Sequence, residues 1–266
     1  MAMQVTLVSL YGNKSNSRLA TLIAQCQQVV TNALATAFTP YDEEQVHATI
    51  IGLERHSPSG FENDNFARLR NRNQTMAFDG FLGYLRRCGH FPLQVQIGGF
   101  RDRDYPFTSR RARPYERSFS IQGDKAVVMG WPIRGEPISI AETTSEDLIQ
   151  ESRLYPMTLD ALRRAAQGFG ILHGYHGALT DVDNDLFFRI GLVDEKAVPL
   201  GSIPALQQRL RQSLSQEKPF IVEITLDEVF VAAYNDNTLP RTSTDVWSVK
   251  DPKVDGEFIC GLYTRG

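Results

Sequence analysis

The chain has 266 residues, 42% of them hydrophobic and 22% charged, with a formal net charge of −3 and a pI near 6.0. Such a composition fits an ordinary globular protein with a sizeable core, and it excludes a chain-wide pull toward nucleic acid or anionic membrane, so a polyanion contact has to come from a local patch. No apolar stretch approaches a membrane span, residues 1–5 lack the charged start of a signal peptide, and Cys26, Cys88 and Cys260 show no metal spacing, so a cytoplasmic, reducing setting is expected.

A first strand is expected at Val5-Thr6-Leu7-Val8-Ser9-Leu10, which alternates and is rich in β formers. A helix follows, because Leu19, Leu22, Ile23, Cys26, Val29, Val30, Ala33 and Leu34 recur at spacings of three and four. Residues 13–17 offer its N-cap candidates and Phe38-Thr39-Pro40 its stop. The next strand is Val46-His47-Ala48-Thr49-Ile50-Ile51-Gly52-Leu53. Residues 61–87 read as a second helix with a stripe of Phe66, Leu69, Met76, Phe81, Leu82 and Leu85 and a C-terminal stop at Gly89.

Residues 92–97 alternate strictly and read as a strand. A polar, strongly basic loop at 101–117 follows, then a hairpin, 118–121 with 126–131, around Gln122-Gly123-Asp124-Lys125. Residues 137–152 show no clear period. A helix is expected at 158–167, a buried strand broken by Arg189 at 186–193, a helix at 204–214, a long strand at 220–233 and a last strand at 258–263. Strands interleaved with helices and hairpins argue an α+β fold with helices packed on antiparallel-rich sheets. No Gly/Ser-rich linker divides the chain, and no repeat or low-complexity segment is present.

His47-Ala48-Thr49 carries the clearest chemical signal. On a strand, residues two apart share a face, so the imidazole and the hydroxyl point the same way. One group can move a proton while the other holds a phosphate oxygen.

With its elements in this order, the chain resembles the two-histidine (2H) phosphoesterase superfamily, the cyclic phosphodiesterases and LigT-like 2′-5′ RNA ligases. The likeness rests on the first strand, the long helix and residues 46–53. Residues 91–100, and residues 220–239 ending Tyr234-Asn235-Asp236-Asn237-Thr238-Leu239-Pro240, add to it. The resemblance implies a single bilobal domain over 1–266: lobe one near 1–100, the basic insertion 101–117, and lobe two near 118–266. Each lobe would give one H-x-T/S strand to a central cleft. One imidazole would deprotonate the nucleophile, the other would protonate the leaving oxygen, and the hydroxyls would hold the non-bridging oxygens, with no metal and no cofactor.

His47 and Thr49 occupy the first motif. In the second, Phe187 stands where the histidine belongs and Arg189 where the threonine belongs. Phe187 cannot transfer a proton, and Arg189 stays protonated at any usable pH but can hold an anionic oxygen bidentately. His173 and His176, on a glycine-flanked loop, are candidates to replace the missing acid or base. Arg110, Arg111, Arg113 and Tyr115 are candidates for a lid or a nucleic-acid contact. Asp181-Val182-Asp183-Asn184-Asp185 begins like a calcium loop, but Leu186 and Leu192 replace the required glycine and glutamate, which rejects an EF-hand.

The same residues admit plainer readings: His47 as a strand histidine, Arg189 as a salt-bridged residue, 101–117 as a solvated loop. The expectation is a phosphoesterase-like protein that acts on or binds 2′,3′-cyclic or 2′-5′ phosphodiesters of RNA or a nucleotide, with altered or reduced catalysis. The alternative is a catalytically inactive nucleotide- or anion-binding module of the same fold. No partner beyond such a small nucleotide or RNA end, and no membrane, is implied.

Overall fold

Apolar residues at every second position set the strand faces, and most of the helices in turn bury their stripes on one side of a single sheet. A computed structural model describes residues 3–15, 17–137, 145–198 and 201–264, with the side chains of 145–148 outside the description. Among the described residues ten strands pair antiparallel throughout: β1 (Gln4–Ser9), β2 (Phe38–Pro40), β3 (His47–Gly52), β4 (Leu93–Ile97), β5 (Phe119–Gln122), β6 (Lys125–Pro132), β7 (Leu186–Val193), β8 (Phe220–Ile224), β9 (Val229–Tyr234) and β10 (Asp245–Ser248). Their order is β10-β9-β1-β3-β7-β6-β4-β8, with β2 added to β7 and β5 to β6. Eight α-helices are described: α1 (Arg18–Leu34), α2 (Asp64–Arg70), α3 (Phe78–Leu85), α4 (Pro114–Arg117), α5 (Ser145–Leu154), α6 (Thr158–Ala166), α7 (Ser202–Gln216) and α8 (Gly256–Leu262). The fold is α+β. No described helix is long and apolar enough to cross a membrane.

The main core lies on one face, where Leu7, Ala48, Ile50, Phe188 and Val128 meet Ile23, Phe81, Leu162, Leu210 and Ile259 of the helices. The opposite face carries two smaller clusters. Val8, Tyr11, Ala232, Tyr234 and Leu239 form one, and Val127, Met129, Trp131, Phe187, Phe100 and Tyr155 form the other. Between these clusters run β3 and β7.

Three sequence expectations are corrected. The helix expected at 61–87 is two helices: Asn71 takes a left-handed conformation (φ 48°) at the C-cap of α2, and the chain stays non-helical until α3. The strand expected at 220–233 is β8 and β9, separated by a 3-10 turn at Leu226–Glu228 that carries the chain from one edge of the sheet to the strand beside β1. Residues 258–263 are the helix α8, capped by Asp255, whose carboxylate accepts from the Phe258 N–H at 2.8 Å. Its apolar run is too short for its period to decide between helix and strand. Residues 138–144, part of the stretch without a clear period, lie outside the described residues.

Candidate functional site

β3 and β7 are neighbours, and their register places His47 directly opposite Arg189. Directly opposed residues of an antiparallel pair project to the same face. Val127 of β6 lies opposite Arg189 in turn, and Val8 of β1 lies opposite Thr49. His47, Thr49, Phe187 and Arg189 therefore share the face opposite the main core, with Phe187 inside one of its apolar clusters.

His47 is fully buried. Its Nδ1–H donates to the Gln45 carbonyl at 2.8 Å, which leaves Nε2 as a bare acceptor with no partner among the described residues. Burial first, and the Arg189 charge second, lower its pKa to about 3, so the ring is neutral. Arg189 donates from Nη1 to the Asn237 carbonyl at 2.9 Å, while its Nε has no partner. An unused acceptor and an unused charged donor thus stand on adjacent strands.

The backbone of 237–239 is tied to this site at three points. Arg189 holds Asn237, Gln45 Nε2 donates to the Thr238 carbonyl at 2.7 Å, and the Tyr11 hydroxyl donates to the Leu239 carbonyl at 3.0 Å. The Tyr11 ring lies 6.1 Å from that of His47. Leu239 is held at φ 55°, a left-handed conformation that a leucine rarely adopts. This segment and Tyr11 cover His47, while Thr49 and Arg189 stay partly exposed.

Two groups that the sequence reading did not single out complete the surroundings. Tyr234 donates to Glu54 Oε1 at 2.8 Å, and burial raises the pKa of Glu54 despite that bond and the nearby Arg189 charge. Arg163 of α6 is fully buried and fills the gap where β3 and β7 diverge. It donates to the carbonyls of Thr49, Ile50, Asp183 and Asp185 at 3.0–3.3 Å, standing in for ladder bonds the strands do not make. Glu54 follows the motif strand by two residues, but an isolated Glu or Arg in a sequence gives no sign of burial.

His173 and His176 are held elsewhere. Their Nε2 atoms meet Asp183 at 2.6 Å and Asp160 at 3.0 Å, and the rings lie 5.4 Å apart. Burial and the Arg163 charge lower His173 to about 4. Burial raises the carboxyl pKa of Asp160, but the hydrogen bonds from His176 and Arg164 outweigh it and bring the group down to about 2. No cluster of three or more His, Cys, Asp or Glu suited to a metal occurs among the described residues.

The basic segment divides. Arg113 is surrounded by Asp102 at 3.1 Å, Glu116 at 3.1 Å and Asp104 at 3.8 Å. Arg117 forms a buried two-pronged pair with Asp185, both bonds 2.9 Å. Tyr115 is half-buried on α4. Arg110 and Arg111 instead form the tip of a tight turn that packs on the 173–182 loop.

In comparisons with known proteins, no family model and no curated protein matches the chain.

Proposed function

We propose that the β3–β7 site binds the anionic oxygens of a 2′,3′-cyclic or 2′-5′ phosphodiester of RNA or a nucleotide, within a bilobal two-histidine phosphoesterase-like fold whose catalysis is reduced. The observation that carries this reading is the His47–Arg189 pair: opposed across two strands, on one face, each with an unsatisfied nitrogen. Arg189 would donate to non-bridging oxygens, and Thr49 lies two residues from His47 on the same face. A neutral imidazole with Nδ1–H fixed to a carbonyl is the tautomer whose Nε2 accepts a proton from an attacking water. The bond from phosphorus to the leaving oxygen then breaks.

Phe187 supplies no proton to that leaving oxygen, which must take one from solvent. Positioned acid–base catalysis contributes roughly 10²–10⁴-fold, so turnover is slower than with two histidines by about that factor. The segment 237–239 has to lift for ligand to enter. The Phe187 substitution is also what favours the second reading, a binding module without turnover.

Calorimetric titration with 2′,3′-cyclic AMP tests the binding, and chromatography of the products tests the turnover. Wild type binds. Arg189→Ala weakens binding by about tenfold or more, the worth of a charged hydrogen bond, and His47→Ala abolishes any hydrolysis. Binding without hydrolysis selects the module. A wild type that neither binds nor hydrolyses removes both readings.

A further inference from the structure

A second feature lies outside the β3–β7 site. Ser109 and Ala112 exchange backbone hydrogen bonds of 3.1 and 3.0 Å, and the two residues between them are Arg110 at φ 51° and Arg111 at φ 63°. A two-residue turn with both centres left-handed ordinarily takes Asn-Gly, because a Cβ is disfavoured there. Two consecutive arginines are a poor choice for the turn itself. Non-glycine residues held in sparse conformations persist where the surroundings over-determine them and gather at ligand sites.

The surroundings here do over-determine the turn. Arg110 N–H donates to the Val182 carbonyl at 2.8 Å, and Ser109 Oγ donates to Asp183 at 3.3 Å and accepts from Asn184 N–H at 2.9 Å. On this frame the two guanidinium groups are presented differently. Arg110 lies over the Tyr175 ring, 3.5 Å from its centroid, and is fixed by a 2.7 Å bond to Gln122. Arg111 is 88% exposed, and its nearest carboxylate, Asp181, is 3.7 Å away. Arg110, Arg111, Tyr175, Thr108, Thr180 and Asp181 line a groove of about 560 Å³.

Two arginines that do not line the groove brace the loop beside it. Arg70 donates to the carbonyls of His176 and Gly177, and Arg164 to those of Leu179 and Asp181. Two guanidinium groups, Arg110 and Arg111, line the groove against the single carboxylate of Asp181. The chain as a whole carries −3, so this positive field is local.

We infer that this groove binds a single-stranded polynucleotide, with Arg111 on a backbone phosphate and the Arg110–Tyr175 stack against a base. A fixed planar cation–arene stack beside an exposed, forked phosphate donor, held only by a long ion pair to Asp181, suits a ligand that alternates bases and phosphates. The contact reads backbone charge and a π-face, so it does not depend on the sugar. Arg113, with three carboxylates around it, takes no part.

Fluorescence anisotropy with labelled U12 and dT12 at several salt concentrations tests the groove. Wild type binds both, and the slope of log affinity against log salt marks the phosphates engaged. Arg111→Gly and Arg111→Asn each weaken binding about fivefold or more and reduce that slope by about 1. Neither lowers the melting temperature, since both replacements accept a left-handed backbone. Tyr175→Ala weakens binding by about 5- to 100-fold, and Arg113→Ala leaves it unchanged. No binding of either oligonucleotide by wild type, an Arg111→Gly that binds as tightly, or an equal loss in Arg113→Ala each overturns the groove. Cyclic-nucleotide binding with the Arg189→Ala variant is read separately, so failure of one site is distinguishable from failure of the other.

Discussion

His47 shows most directly how one residue's burial becomes a property of the whole protein. Folded, it sits at a pKa of about 3 and His173 at about 4, whereas an unfolded histidine titrates near ~6.5. Below that value the unfolded chain takes up protons that the folded chain refuses. Both groups therefore favour unfolding as pH falls from about 6.5 toward 4, by up to ~1.4 kcal/mol per pH unit each. Glu54, raised by burial, has the opposite sign, its stability being lost as pH rises, so the comparison has to be made against a variant. Urea unfolding at pH 7 and pH 5 should show wild type losing about 2 kcal/mol more than His47→Asn. Parallel losses would mean that His47 is solvated and protonated in the folded state.

Arg163 is the second residue whose environment fixes an outcome. Four backbone carbonyls converge on one guanidinium, with Asp183 at 3.5 Å, all with the side chain fully buried. Arg163→Met leaves those acceptors and the Asp183 charge without a donor, at a cost of about 3–5 kcal/mol. Arg163→Lys recovers little, because an ammonium lacks the planar fork that reaches four carbonyls. Denaturant midpoints of the three proteins read this out; a methionine variant within ~1 kcal/mol of wild type would show that β3 and β7 pair without it.

At the scale of elements, alternation made β1 and β4 legible, the Gln122–Lys125 turn β6, apolar runs β3 and β7, and spacings of three and four α1. The breaks were less legible. The apolar stripe at 61–87 continues through Asn71 because Leu69 and Met76 keep the period while the backbone does not, and only the left-handed cap reveals two helices. Residues 220–233 read as one strand because apolar, β-rich runs flank the turn closely, with only Asp227-Glu228 between them. In the site, the strand context of His47 and the neighbourly register of Arg189 were readable from period two. The enclosure by Tyr11 and 237–239 was not, since it depends on contacts more than 190 residues apart in the chain.

That enclosing segment has its own expected behaviour. Two side-chain bonds, from Gln45 to Thr238 and from Tyr11 to Leu239, clasp it without involving a group of the β3–β7 floor. Gln45→Ala combined with Tyr11→Phe removes both, each worth about 1 kcal/mol. Hydrogen exchange at residues 236–241 should then quicken by about 10-fold or more, while exchange in β3 and β7 stays at the wild-type rate. Equal exchange in the segment would show that the remaining Arg189–Asn237 bond and the packing of Leu239, not these two bonds, hold it down.

Across the molecule, the sheet separates the main helix-covered core from a face that carries two smaller apolar clusters and the His47–Arg189 pair. Cys26 probes the first. It lies on the inner side of α1, in the core shared with β2, β7 and α7, and burial pushes its thiol up to about 12. Cys88 and Cys260 are half-buried. A thiolate is the reacting species, so at pH 8 an aromatic disulfide reagent should modify Cys88 and Cys260 in the folded protein and leave Cys26 untouched. Because Cys26 packs against elements from both ends of the chain, no local fraying exposes it. Its labelling should occur only through global unfolding, with a rate whose urea dependence matches that of unfolding followed by tryptophan fluorescence. Labelling of Cys26 at the rate of Cys88 would mean that α1 detaches independently, and that β3 and β7 are then covered on the helix side by less than a continuous core.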